Sequence, residues 1–313
     1  AVYRLGVIKR EQGERRKALN MFDKALEEDP HHRPTLDAVV GLYEKQSQWP
    51  QVIHFKKQIL ETVTDDTERY DILDEVGELW KEKEKNTQKA IEAWDEASLL
   101  KPEEHRMLHK LLGAYQETRQ WEQALGIIQQ VSDLDGRPKA QSKYIYTIGV
   151  ITRDELKDSD AALDKFNQSL DLDPDNLKAF EAVNKILNTK KDWKQLERAY
   201  RKMIHRIIKE PGRDDLKFNL FHTLGIIYRD RQRNFEAAAE AFKTASSIKP
   251  DQATEHQILA ELYSTMPDRV NDAIEEHQWL LKQDPYRVDS YRALYKLYFD
   301  ARAYDKAWCL AAT

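Results

Sequence analysis

Two histidines one helical turn apart, His105 and His109, are the first residues here whose types and spacing could do chemistry. Imidazoles at i and i+4 of a helix share a face and can hold one divalent cation between them. A protein-held metal takes three or four ligands, and neither a cysteine nor an obvious third donor accompanies the pair. No metal site is therefore expected. His31-His32, set between Pro30 and Pro34, reads as turn surface. The one cysteine, Cys309, excludes an internal disulfide framework and any cysteine-based zinc site, and fits a reducing compartment. Carboxylates are abundant, but on solvated helix faces any spacing of them recurs. There is no zincin helix motif, no phosphate-cradling glycine loop and no nucleophile elbow. No catalytic residue and no cofactor is expected, and the chain reads as non-enzymatic.

The elements that would position any side chain are repeats. Thr147–Pro174 holds Gly149 in one apolar run, Ala162, Phe166 and Ser169 on a second, and closes at Pro174. A shift of 72 residues back gives Gly77, Ala90, Trp94, Ala97 and Pro102, and a shift of 76 forward gives Gly225, Ala238, Phe242, Ala245 and Pro250. Five positions kept together three times define a repeat array. Between these copies lie hairpins of a second type, marked by Trp49, Trp121 and Trp193, each 72 residues from the next. The period is thus a pair of unlike helical hairpins. The units run over 1–30, 34–66, 68–102, 103–136, 139–174, 175–211, 213–250 and 251–285, with a partial ninth at 286–313. All belong to one array, 1–313.

Small residues let paired helices approach: Gly6 and Ala18 are expected to face each other, with Phe22 filling the space toward the next unit. Proline after each second helix, as at Asp29-Pro30, ends it, because the residue before proline avoids the α region. Each tryptophan opens a second helix, where a large side chain wedges the hairpin, so the ladder reads as core rather than as a ligand cage. The register slips once, by four residues, within Arg206–Leu216. A longer helix with a wider loop accounts for it.

Composition agrees with this layout. A chain 41% hydrophobic and 34% charged suits long helices with one apolar stripe each, and ten Gly and ten Pro argue against a turn-rich β architecture. No apolar run reaches the ~18 residues of a membrane span, and a net charge of −5 gives no general pull toward nucleic acid. The start at Ala1, without methionine or signal segment, reads as that of a fragment. With no polar helix after Trp308, Cys309 and Leu310, its uncapped ends could self-associate. A cytoplasmic location is the expectation.

The hairpin of 34–39 residues with these glycine, alanine, aromatic and proline positions resembles the tetratricopeptide repeat family along essentially the whole chain. Its most faithful copies are Ile148-Gly149…Ala162…Phe166…Pro174 and Leu224-Gly225…Tyr228…Ala238…Phe242…Ala245…Pro250. Units two and six depart from it, with Val52, Lys57 and Leu196 at positions where small or aromatic residues belong. For these the related half-a-tetratricopeptide family is the alternative. The resemblance implies an all-α, right-handed α-solenoid of antiparallel helix-turn-helix repeats whose first helices line a groove. It also allows a test for the family's two-carboxylate clamp, which places asparagine directly after the first-helix glycine. Here Gly6, Gly77, Gly149 and Gly225 precede Val7, Glu78, Val150 and Ile226, so the clamp is absent.

On each first helix, four residues spaced 3, 4 and 3 form the groove stripe. Units two and three offer Asp37, Glu44, Asp71, Asp74, Glu78 and Lys81. Unit four changes sign with Arg106, His109 and Gln116. Lys143, Tyr146, Val150 and Arg153 follow in unit five, then Lys178, Glu181, Lys185 and Asn188 in unit six. Unit seven adds Asn219, His222, Ile226 and Arg229. The stripe runs from an acidic mouth to a basic centre with apolar neighbours. It suits an acidic segment or a chain-terminal carboxylate. The expected function is a non-catalytic protein–protein interaction scaffold binding an extended peptide or partner domain. Its site residues would be Arg106, His109, Lys143, Tyr146, Val150, Arg153, Lys178, Lys185, His222 and Arg229. Two alternatives are the substrate-recruiting region of a larger enzyme and a single-stranded-RNA reader. The latter is disfavoured because Tyr146 is the one stacking aromatic on the stripe.

Overall fold

The computed structural model describes residues 1–311, and all regular structure among them is helical. The contacts divide the chain into two compact units, 1–158 and 159–313. In the first, α1 (Val2–Glu11) pairs with α2 (Arg15–Glu28), α3 (Arg33–Glu44) with α4 (Trp49–Thr62), and α5 (Asp66–Glu78) with α6 (Thr87–Leu100). Then α7 (His105–Glu117) pairs with α8 (Trp121–Leu134), and α9 (Pro138–Asp154) packs on α8. The second unit starts with α10 (Ser159–Leu172), which packs on α11 (Leu177–Lys190), itself paired with α12 (Trp193–Ile207). The remaining pairs are α13 (Asp214–Ile226) with α14 (Phe235–Ile248), α15 (Ala253–Ser264) with α16 (Val270–Gln283), and α17 (Val288–Asp300) with α18 (Tyr304–Ala311). The expected last helix, 303–313, is α18; Ala312 and Thr313 lie outside the described residues.

Two kinds of hairpin turn close the helix pairs. In the tryptophan-marked hairpins the N–H of Gln48, Gln120 and Asp192 donates to the carbonyl five residues back, on Tyr43, Tyr115 and Leu187, at 2.8–3.1 Å. The residue before each donor, Ser47, Arg119 or Lys191, is left-handed with φ of 54–57°. In the third and seventh hairpins the closure reaches one residue further: Asn86 to Trp80 at 2.9 Å, and Asn234 to Tyr228 at 3.0 Å. The extra residue is absorbed by widening the end of the first helix into a π turn, over Leu79–Lys83 and Ile227–Gln232. Asn86 and Asn234 then cap the second helix, accepting from the N–H of Lys89 and Ala237.

Glycines of the first helices make room for rings of the second. A Cβ on Gly77 would lie 2.1 Å from Trp94 Nε1, and one on Gly225 would lie 2.8 Å from Phe242. At Gly6 the nearest atoms belong to Phe22, at 2.5 Å. Phe22 of the same hairpin thus closes over Gly6, while Ala18 is fully buried in α2. Phe22 also joins a buried cluster with Val39 and Leu42 of α3, so it serves both contacts.

Trp49, Trp121 and Trp193 are half-buried at the first position of α4, α8 and α12. Two of them are covered by cations from the π turns: Lys83 lies 5.1 Å from the Trp49 ring centre and Arg231 lies 4.6 Å from that of Trp193. His32 is more than turn surface, since its ring meets Tyr3 at 5.2 Å and its Nδ1 lies 2.6 Å from Thr35 Oγ1. The register slip is accounted for by α12, one residue longer than α4 and α8, and by a six-residue link at 208–213 in place of three residues. Gly212 turns that link with φ of +74°, and Lys217 Nζ donates to the Glu210 carbonyl at 2.6 Å. No helix among the described residues is long and apolar enough to cross a membrane.

Candidate interaction surface

The stripe residues of the first unit are linked from repeat to repeat by ion pairs. Arg33 of α3 joins Asp37 at 3.0 Å and Glu68 of α5 at 2.8 Å. Lys56 of α4 lies 2.6 Å from Glu75. Asp74 of α5, only 7% exposed, accepts from Lys110 at 2.6 Å and pairs with Arg106 of α7 at 2.8 Å. Lys110 reaches Glu78 as well, at 2.5 Å. Burial works against the Lys110 ammonium, yet its bonds to Asp74 and Glu78 hold its pKa above the ordinary lysine value. The charge of Asp74 raises Arg106 in the same sense. Lys56, Asp74, Glu78, Arg106 and Lys110 are among the side chains that line a cavity of about 520 Å3.

The change of sign between units three and four is therefore an internal ion-pair network, and Arg106 belongs to it. His109 and Lys143 are exposed, and the side chains of both lack hydrogen bonds and ion pairs to other described residues. Tyr146 and Val150 are half-buried on α9, three and seven residues after Lys143. Arg153 forms a two-pronged contact with the neighbouring Asp154, at 2.7 and 2.8 Å, and that hydrogen bonding raises its pKa.

In the second unit, Lys178 and Lys185 stand exposed on α11, two turns apart, with no ion pair to other described residues. His222 behaves differently. Its Nδ1 lies 2.8 Å from Glu255 of α15, a carboxylate 1% exposed, and its ring stacks on Phe218 and meets Phe242 edge-on at 5.7 Å. Arg229 contacts Asp230 at 2.7 and 3.2 Å and lies 5.8 Å from the Phe242 ring centre. Hydrogen bonding between them raises Arg229 and lowers Asp230.

Sequence reasoning passed over Lys110, Lys56 and Glu255. Lys110 carried a signal, being four residues after Arg106 and so within reach of the same carboxylate. Glu255 carried one too, because the corresponding positions hold the buried Thr35, Met107 and Ala179. A charge at such a position needs a partner, and His222 is that partner. No group of three metal-binding side chains occurs among the described residues.

Residues 1–32, the first hairpin, match the model of the tetratricopeptide repeat. The Gly6–Phe22 contact in that hairpin recurs as Gly77–Trp94 and Gly225–Phe242. The first hairpin thus carries a tetratricopeptide repeat, and its glycine–ring contact is repeated along the chain. Among curated proteins, none matches its sequence. Solved structures similar to this chain include Naa15/Naa10 bound to HypK-THB, at 16% identity and a TM-score of 0.36, over 95% of this chain and 38% of that one. The Cut9-Hcn1 hetero-tetramer of the APC/C is similar at 14% identity and 0.33, over 90% and 52%. So is the C-terminal part of a TPR repeat-containing protein from Cytophaga hutchinsonii, at 14% and 0.33, over 81% and 97%. The chain thus spans well under two thirds of the first two relatives' length.

Proposed function

We propose that this repeat protein works without catalysis of its own, as a scaffold that binds an acidic, extended segment of another protein on its first helices. The observation that carries the reading is the division among the stripe cations. Arg106, Arg153 and Arg229 already face a carboxylate of this chain, whereas Lys143, Lys178 and Lys185 are exposed and lack one. Ammonium groups held in solvent on rigid helices are ready to pair with a partner's carboxylates, and long-range attraction then speeds encounter. Tyr146 and Val150 offer apolar contact beside Lys143. The resemblance of the first hairpin to a family of interaction modules supports the same reading.

A fluorescent acidic peptide library tests it. Binding should weaken as salt rises, and Lys143→Ala, Lys178→Ala and Lys185→Ala together should weaken it by about tenfold and flatten the salt dependence. Full affinity in the triple variant would move the site off these helices.

A further inference from the structure

The third and seventh repeats place equivalent residues 148 positions apart, and one location is built differently in the two. Where α5 and its turn meet α7, polar groups bridge the elements beside the cavity of about 520 Å3. Glu117 accepts from Thr87 Oγ1 at 3.0 Å and lies 3.8 Å from Lys81, while Lys110 pairs with Glu78. Where α13 and its turn meet α15, the counterparts of Thr87, Lys110 and Glu117 are Phe235, Ile258 and Thr265. The bridging carboxylate and ammonium are both gone. In their place is a cavity of about 350 Å3 lined by Phe235, Ile258, Leu262 and Thr265.

Phe235 is 39% exposed at the start of α14, a poor place for a ring with no covering partner. The Thr265 hydroxyl turns back to its own helix and donates to the Leu262 carbonyl. Charge at the cavity is uneven. Asp230 is paired with Arg229, and Glu261 accepts from Gln257, both within the lining or next to it. Arg233, at the turn apex with φ of 57°, donates its backbone N–H to the Tyr228 carbonyl; its exposed side chain forms no hydrogen bond or ion pair with another described residue, although its charge helps lower the pKa of Asp230.

We propose that this cavity docks one side chain of a partner protein segment. An aromatic or branched aliphatic residue would lie against Phe235, Ile258 and Leu262, and an acidic residue beside it in sequence would pair with Arg233. The proposal rests on the scaffold reading above but uses a different part of the second unit. The apolar lining supplies affinity and the Arg233 guanidinium supplies direction, because a planar fork recognises a carboxylate in two-point fashion. Reversing the neighbour's charge would set it against Arg233.

Methyl-labelled protein titrated with capped Gly-Phe-Glu-Gly, Gly-Phe-Lys-Gly and Gly-Ser-Glu-Gly peptides decides the matter by NMR. The Ile258 Cδ1 methyl should shift saturably with the first peptide, and the other two should bind at least about fivefold more weakly. Ile258→Lys with Thr265→Glu, which imports the fourth repeat's own residues, should abolish the shift of the Leu262 methyls with helical circular dichroism unchanged. If that pair perturbs folding, Phe235→Thr at the exposed rim takes its place and should give the same loss. A silent Ile258 methyl, an equal response to the lysine peptide, or full affinity in a folded variant overturns the docking point. Should acidic peptides still bind through Lys178 and Lys185 while Ile258 stays silent, this site fails and the groove reading stands.

Discussion

Asp74 and His222 stand at the same position of the third and seventh repeats, and each crosses to the next first helix with the opposite polarity. Asp74 accepts from Lys110 at 2.6 Å, whereas His222 meets the buried carboxylate of Glu255 at 2.8 Å. A stripe position expected to face a partner is used here to tie neighbouring repeats together. Tyr146, the counterpart in the fifth repeat, carries no formal charge.

Asp74→Asn should loosen the third repeat from the fourth. The variant leaves Lys110 with Glu78 alone and leaves Arg106 without its carboxylate. Removing one partner of a largely buried charge pair costs more than the pair's net worth, because the other charge stays desolvated. A loss of about 1–3 kcal/mol is expected in urea unfolding, discounted because Arg106 is solvent-exposed. Faster amide exchange confined to α5 and α7 would mark the loss as local, and exchange unchanged there would show that the ion pairs hold nothing.

Gly77→Ala addresses the hairpin itself. The added methyl would sit 2.1 Å from Trp94 Nε1, and the indole N–H that donates to the Asp74 carbonyl at 3.4 Å would have to move. Overpacking of a filled core costs about 1–3 kcal/mol. Gly225→Ala, with its nearest atoms at 2.8 Å on the Phe242 ring, should cost less. Thermal unfolding of the two variants gives the order, and a reversed order would mean that Trp94 shifts more freely than Phe242.

The helices and their pairing were legible because each core position recurs with the same residue type, from Ala18, Ala90 and Ala238 to Phe22, Trp94 and Phe242. The turn types were half legible: the extra residue before Thr87 could be counted, but not that it becomes a π turn, since spacing carries no information about which carbonyl an N–H chooses. The surface was least legible. A stripe names the residues that share a face, yet Arg106 and Lys143 look alike in sequence, and only the proximity of Asp74 separates them. That proximity depends on how α5 and α7 pack, which local periodicity does not encode. Arg153 and Arg229 were neutralised by their own neighbours, Asp154 and Asp230, a signal the stripe spacing skips over.

Lys191→Gly should stabilise the protein. A side chain at φ of 54° crowds its own carbonyl, and glycine removes that strain. Lys191 is exposed at the α11–α12 turn, so no packing is lost. A gain of about 0.5–1 kcal/mol is expected, and Gly13→Ala at φ of 77° should cost a similar amount. Differential scanning calorimetry of both variants reads the two signs. A lower melting temperature for Lys191→Gly would show that the lysine's restriction of the unfolded chain outweighs its strain.

Acid should weaken the C-terminal repeats through His277. Burial pushes its pKa below the ordinary value of 6.5, and the charge of Arg287 pushes it the same way, with Glu261 opposing. The ring lies in α16 with Nδ1 3.3 Å from Ser290 Oγ of α17, so protonation would place a charge between two packed helices. Because the folded pKa is the lower one, the unfolded chain binds the proton more readily. The contribution is intact above about pH 6.5 and is lost progressively as pH falls through the depressed folded value. The urea midpoint should therefore drop between about pH 7.5 and pH 5.5, and His277→Gln should shrink that drop. An identical pH slope in the variant would assign the acid sensitivity to other groups.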